Sequence, residues 1–163
     1  MAKKKITITL YMSELIYDVY DKTYLTGRSR LDGTNHEKVA NMQANDDDEN
    51  SNQIVRSIGN AFANLKTKLS EYIEETGTTS DNKLLDKKSN LTLSLLMPSN
   101  FNQAVNDTIS AALHQYLVHS AVAEWFTITN KGDAEDYVNL AVANLTELRE
   151  AINKRVRPTR PTV

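Results

Sequence analysis

The chain reads as a mainly α protein: a helical bundle with a C-terminal helical hairpin, a minor two-stranded β element and an extended C-terminal tail. Three observations predict this. Residues 101–129 and 133–152 contain neither Pro nor Gly and are rich in Ala, Leu and Val, as two long helices require. Residues 53–75 repeat apolar side chains at steps of three and four. Only two short stretches, near 5–11 and 91–97, alternate apolar and polar residues with the period of a strand.

In chain order, Ile6, Ile8 and Leu10 alternate with Thr7, Thr9 and Tyr11, a strand pattern with β-branched residues. Ser13 is placed to cap a following helix on which Leu15, Ile16, Val19 and Tyr20 share a face, with Gly27 to end it. Arg28 to Gly33 is a polar connection. His36 to Ala44 suits a short helix with Val39, Ala40 and Met42 to bury. Asn45 to Asn52 has no apolar residue and reads as an exposed loop.

From Gln53 a helix is expected to about Glu75. Ile54, Ile58, Ala61 or Phe62, Leu65, Leu69 and Tyr72 make a long seam against other helices. Thr76 to Asn82 is a loop by composition. Leu91, Leu93 and Leu95 alternate with Thr92 and Ser94 until Pro98 stops the strand. A lone two-stranded ribbon is marginal in water, so these strands either pair and pack on the helices or add to a strand of another copy.

Asn100 is placed to cap the hairpin. On its first arm Val105, Ile109, Ala112, Leu113, Tyr116, Ser120 and Ala123 fall on one side, and His114, Val118, Ala121 and Trp125 roughly opposite. An ordinary surface helix has one apolar stripe, so this one is expected to be covered twice. Asn130-Lys131-Gly132-Asp133 reads as the turn, with Asp133 capping the second arm. There Tyr137, Leu140, Ala141, Asn144, Leu145, Leu148 and Ile152 make one stripe, and Glu135, Asp136, Glu147, Arg149 and Glu150 a solvated face. Residues 1–156 form one domain by this reading, and 157–163, with Arg157, Pro158, Arg160 and Pro161, an extended basic arm.

Composition narrows the function classes. The net charge of −2 gives no global basic field for nucleic acid, although Lys3 to Lys5 and the C-terminus are basic and Asp46 to Glu49 acidic. The absence of Cys excludes disulfides and thiolate metal sites. No apolar run is long enough for a transmembrane helix, and the N-terminal lysines precede no apolar signal-peptide core. Glycosylation sequons at Asn90, Asn106 and Asn144 read as chance in a chain without such a signal.

Catalytic and metal motifs do not form. His36-Glu37 opens like a zinc-protease helix, but Ala40 stands where the second His is needed. His114 and His119 are five residues apart, off the spacing of three or four that puts two ligands on one helical face. Asp46, Asp48 and Asn50 have calcium-loop spacing, but Ser51 and Ser57 stand where Gly and the closing Glu belong. No Gly-rich phosphate loop or nucleophile elbow occurs, and Glu124 beside Trp125 reads as a rim residue. No catalytic residue, cofactor or metal is expected, and an enzyme without recognisable motif is the third reading.

Two resemblances bear on function. Lys3-Lys4-Lys5-Ile6-Thr7-Ile8-Thr9-Leu10 and the helix after it resemble the opening of ribbon-helix-helix DNA-binding proteins. That likeness implies a dimer in which Lys5, Thr7 and Thr9 of the 5–10 strand face the bases. Gly27-Arg28-Ser29-Arg30 resembles that family's turn, but residues 31–35 interrupt the match and the acidic run opposes phosphate.

The stretch Tyr116-Leu117-Val118-His119-Ser120-Ala121-Val122-Ala123-Glu124-Trp125-Phe126, the short turn, and the helix from Tyr137 to near Arg155 point elsewhere. They are similar to head-to-tail connector, or neck ring, proteins of tailed bacteriophages, most like those of the crAss-like phages of Bacteroidetes. The resemblance implies a non-enzymatic virion protein, assembled in the bacterial host cytoplasm into a ring of roughly a dozen copies. Its implied partners are itself, the portal protein, neighbouring neck or tail proteins and double-stranded DNA passing without sequence recognition; no membrane is involved. On this reading Trp125 and Val118 are packing anchors between or within subunits, Ile6, Ile8 and Leu10 pair strands, and Arg157 and Arg160 contact an acidic surface. The acidic Asp46 to Glu49 segment is expected to face outward.

Overall fold

A computed structural model describes residues 2–74 and 81–161. It is mainly helical, with β1 (Lys4–Tyr11), α1 (Met12–Ser29), α2 (His36–Met42), α3 (Asp48–Lys68), β2 (Asn90–Met97), α4 (Asn106–Thr129) and α5 (Lys131–Ile152). A 3-10 turn, Gln103–Val105, precedes α4.

The strands pair antiparallel within the chain, Lys4 opposite Met97 and Tyr11 opposite Asn90. The period of two puts Ile6, Ile8 and Leu10 on one face with Leu95, Leu93 and Leu91, all buried against the helices. That burial supplies what an isolated ribbon lacks. The opposite face carries Lys5, Thr7, Thr9 and Thr92, which are exposed.

The hairpin is the centre of the fold. Half of α4 is buried, including Leu113, Leu117, Val118, Val122 and Phe126, because α1, α3 and α5 all pack on it. The two expected stripes are thus covered from both sides by the chain itself. Trp125 is buried and its indole Nε1 donates to the Met42 carbonyl at 2.8 Å, tying α4 to the end of α2.

Several boundaries differ from the sequence expectation, each for a physical reason. Ser13 does not cap α1: the strand runs straight into the helix, and the Met12 N–H is satisfied by the Ser89 carbonyl at 3.1 Å. Gly27 does not end α1, which continues to Ser29; a Cβ at this buried glycine would lie 2.7 Å from Gln43 Cγ, so its role is close approach. α3 starts at Asp48, not Gln53, because the Asp47 carbonyl accepts from the Ser51 N–H at 2.9 Å and Asp48 and Glu49 suit the positive end of a helix. The acidic run is therefore part loop, part first turn, and Asp46 to Glu49 are all exposed.

α3 also ends earlier, at Lys68. The chain then turns so that Tyr72 to Glu74 line the second edge of β2: Leu96 N–H donates to the Tyr72 carbonyl at 2.6 Å and Glu74 N–H to the Ser94 carbonyl at 3.0 Å. Sheet hydrogen bonds win there over continued helix. The last residue of that expected helix and most of the loop after it, 75–80, lie outside the described residues, as do residues 162–163 of the arm.

Asn100 does not cap the hairpin. Phe101 bridges Arg155, Asn102 Oδ1 accepts from the Ala104 N–H at 3.0 Å, and α4 begins four residues beyond Asn102. Between α4 and α5 only Asn130 is non-helical, so Gly132 and Asp133 sit in the first turn of α5. On α5 Ala141, Leu145, Leu148 and Ile152 are buried as expected, whereas Leu140 of the expected stripe is 46% exposed.

Candidate functional site

Three features of the surface are built well enough to interact with something else. The first is the outer edge of β1. The Met12–Ser89 hydrogen bond fixes the ladder so that even-numbered residues of β1 turn their backbone groups to β2. Lys5, Thr7 and Thr9 turn theirs outward. The same alternation holds on β2, where Ser94 and Leu96 bond Glu74 and Tyr72 on its far side. β2 is therefore paired on its second edge from Ser94 to Leu96, while β1 has no second backbone partner among the described residues.

Beside that edge lies an open cleft of about 410 Å³ lined by Thr9, Tyr11, Glu14, Asp18, Asp107 and His114. No residue of β2 lines it, which places it on the free side of β1. His114 Nε2 lies 2.5 Å from Asp18 Oδ2, joining α4 to α1. Glu14 and Asp107 are exposed and have no cationic partner among the described residues.

The second feature is a groove of about 430 Å³ over the hairpin, lined by Tyr116, Ala123, Glu124, Val138, Val142 and Leu145 among others. Val138 and Val142 are 47% and 57% exposed. They stand on the face of α5 next to its buried stripe, where the 3.6-residue repeat predicts solvent. Glu124 is exposed at its rim.

The third feature is the C-terminal arm. Its base is fixed, because the Val156 N–H donates to the Asn100 carbonyl at 2.8 Å and the Asn102 N–H to the Lys154 carbonyl at 3.2 Å. Beyond it, Arg157 to Pro161 are exposed and outside any helix or strand.

The structure places the residues singled out by sequence as follows. Trp125 and Val118 are buried inside the chain, and Ile6, Ile8 and Leu10 pair with β2 and face the core. Arg157 and Arg160 are exposed on the arm. Lys5 bonds Glu74 at 2.8 Å across the polar face of the sheet. The hydrophobic residues and the two arginines are thus in different places and do not converge on one site.

Two polar contacts had no sequence signal. Arg30, just past α1, forms a bidentate pair with Asp133 at the start of α5, and Asn130 also donates to that carboxylate. The Arg30 guanidinium and the Asn130 amide hold Asp133 below the ordinary carboxylate range against the opposing effect of burial. His119, deep on α4, lies 2.6 Å from Asn144 Oδ1 of α5. Burial pushes its pKa down, partly offset by that hydrogen bond, so the ring is neutral at pH 7 and donates through Nδ1. Partners this far apart in sequence leave no spacing pattern to read.

Among the described residues no group of three His, Asp or Glu side chains is arranged to hold a metal ion, and no helix is long and apolar enough to cross a membrane. Compared with known proteins, the chain matches no family model, no curated protein and no solved structure.

Proposed function

We propose that this protein is a structural component of an assembly, a ring subunit in the neck of a tailed bacteriophage that joins portal to tail around the DNA channel. The observation that carries the reading is the arm: its base is tied to the body at Asn100 and Asn102, and beyond it Arg157 and Arg160 are exposed. A tether built in this way suits contact with another protein rather than closure of a site of its own. The similarity of the hairpin sequence to neck ring proteins supplies the particular assembly. The exposed Val138 and Val142 and the free edge of β1 add surface through which copies or neighbours can pack. DNA then passes the ring without sequence recognition, and the protein resides in the virion.

The test is native mass and negative-stain imaging of the full chain, alone and with its candidate portal protein. A closed ring of roughly a dozen copies, or recruitment to the portal, is the expected result. A stable dimer that ignores the portal and binds duplex DNA with steep salt dependence overturns it in favour of the ribbon-helix-helix reading.

A further inference from the structure

The edge of β1 is the least protected part of the sheet. Strand edges are usually blunted by Pro, by a bulge, by charge or by a covering segment. From Thr7 to Tyr11 there is no Pro and no charged residue, and the ladder to β2 runs without a bulge. The outward backbone groups of Thr7 and Thr9 are left for an extended segment to pair with. We propose that this segment is the C-terminal arm of a second copy, laid antiparallel along β1 with Thr159 opposite Thr9 and Arg157 opposite Tyr11.

Charge selects the occupant. The far end of the edge opens on the cleft with Glu14, Asp18 and Asp107, and the arm brings Arg157 and Arg160. Lys3 to Lys5 at the near end repel the same arm, so its first arginine belongs at the Tyr11 end. The near end is also where each chain's own arm leaves the body, since the Phe101 carbonyl beside its base accepts from Lys4 Nζ at 2.9 Å. A chain's own arm would have to run along β1 in the parallel sense. Only an arm arriving from another copy, at the Tyr11 end, lies antiparallel.

The spacing of the prolines fits this register. With Thr159 opposite Thr9, the backbone groups of Arg157 and Thr159 turn toward β1, and Pro158, which has no N–H, faces outward. Proline is tolerated on the outer side of an edge strand, and there it stops another strand from adding. Pro161 falls opposite Thr7, where its carbonyl accepts from the Thr7 N–H but it donates nothing in return, so the pairing ends there. Each arm leaves at one end of β1 and enters at the other, so the contact is head-to-tail and lets copies follow one another around a ring. Arm exchange presupposes, as the assembly reading does, that copies of the chain meet.

The chain has no Cys, so single cysteines report without background. Two full-length variants, Thr9→Cys and Thr159→Cys, are mixed reduced, oxidised gently, and the covalent products weighed, with native mass read on the same samples. The expected product is the mixed dimer, in several-fold excess over both homodimers. Adding Arg157→Glu and Arg160→Glu to the Thr159→Cys chain removes that excess, and adding Glu14→Arg with Asp107→Arg to its Thr9→Cys partner restores it. Glu14 and Asp107 are exposed, so these changes leave the core alone. A predominant homodimer of the Thr9→Cys chain overturns the proposal, because β1 then pairs with another β1. A statistical mixture of products also overturns it. Rings without the mixed disulfide sink arm exchange and leave the neck reading standing, whereas mixed dimers that never close into rings or bind portal do the reverse.

Discussion

α4 and β1 each have two sides to cover, and only α4 has both covered by its own chain. α4 sits between α1, α3 and α5, so its two apolar stripes are both interior. β1 buries Ile6, Ile8 and Leu10, pairs one edge with β2, and leaves the backbone of Lys5, Thr7 and Thr9 without a second strand. The difference is one of chemistry. Apolar side chains can be covered by any element that packs, and a neighbouring helix does so without any demand on register. Backbone donors at a strand edge need another extended segment in register. Tyr72 to Glu74 provide one for β2, and nothing among the described residues provides one for β1.

Changes inside α4 should therefore unfold the chain, and changes at the β1 edge should not. The largest effect is expected from Phe126→Ala. Phe126 is fully buried and lies 5.4 Å, centroid to centroid, from the Tyr137 ring. Its truncation should cost about 3–5 kcal/mol, read from the midpoint of a denaturant titration. A loss under about 1 kcal/mol would show that α4 is not the packing centre. Trp125→Phe keeps most of the apolar bulk but leaves the buried Met42 carbonyl without its donor, an expected loss of about 1–3 kcal/mol. The same titration checks it.

His119 sharpens the comparison through pH. Its folded pKa lies below the ordinary value, so the unfolded chain binds the proton more readily. Stability from this group is complete above the ordinary histidine range and falls as pH drops through that range to the lowered folded value. Tyr137 and Asn144 of α5 and the charge of Lys22 on α1 face or influence the ring, and none of them is an anion that would reverse the sign. Denaturation midpoints from pH 8 to pH 5 should fall, and the fall in that window should shrink in His119→Gln. Asp133 acts in a lower window. Its pKa is depressed by Arg30, so its contribution is present above the ordinary Asp value and disappears as pH falls through the depressed one.

The smallest effect on stability belongs to Thr7→Pro, expected at no more than about 1 kcal/mol. Its N–H faces away from β2, so the ladder keeps its hydrogen bonds. Assembly, not folding, is where this substitution should register. A large loss of stability here would mean that the outward side of β1 is engaged within the chain.

Much of the fold was legible without coordinates. The alternation at Ile6 to Leu10 and Leu91 to Leu95 located both strands within a residue or two, and the Ala- and Leu-rich runs located α4 and α5. The double stripe on α4 correctly implied two-sided burial. Where the reading failed, at the start of α1, the ends of α3 and the turn into α5, a hydrogen-bond partner outside the local segment often replaced the expected cap. Ser89 serves Met12, Ser94 draws Glu74 into the sheet, and Arg30 takes the Asp133 carboxylate that was expected to cap α5. The arm was visible as two prolines among arginines; the acidic cleft was not, because Glu14, Asp18 and Asp107 come from two helices some ninety residues apart.

The sequence by itself determined which segments are helix or strand, because backbone preference and apolar period act between near neighbours. Only the tertiary structure decided that the strands pair with each other inside one chain, that Trp125 and Val118 are interior, and that one edge of β1 stays open. Those outcomes depend on which surfaces meet after the chain has turned back on itself, and a stripe of apolar residues specifies that it must be covered without specifying by what.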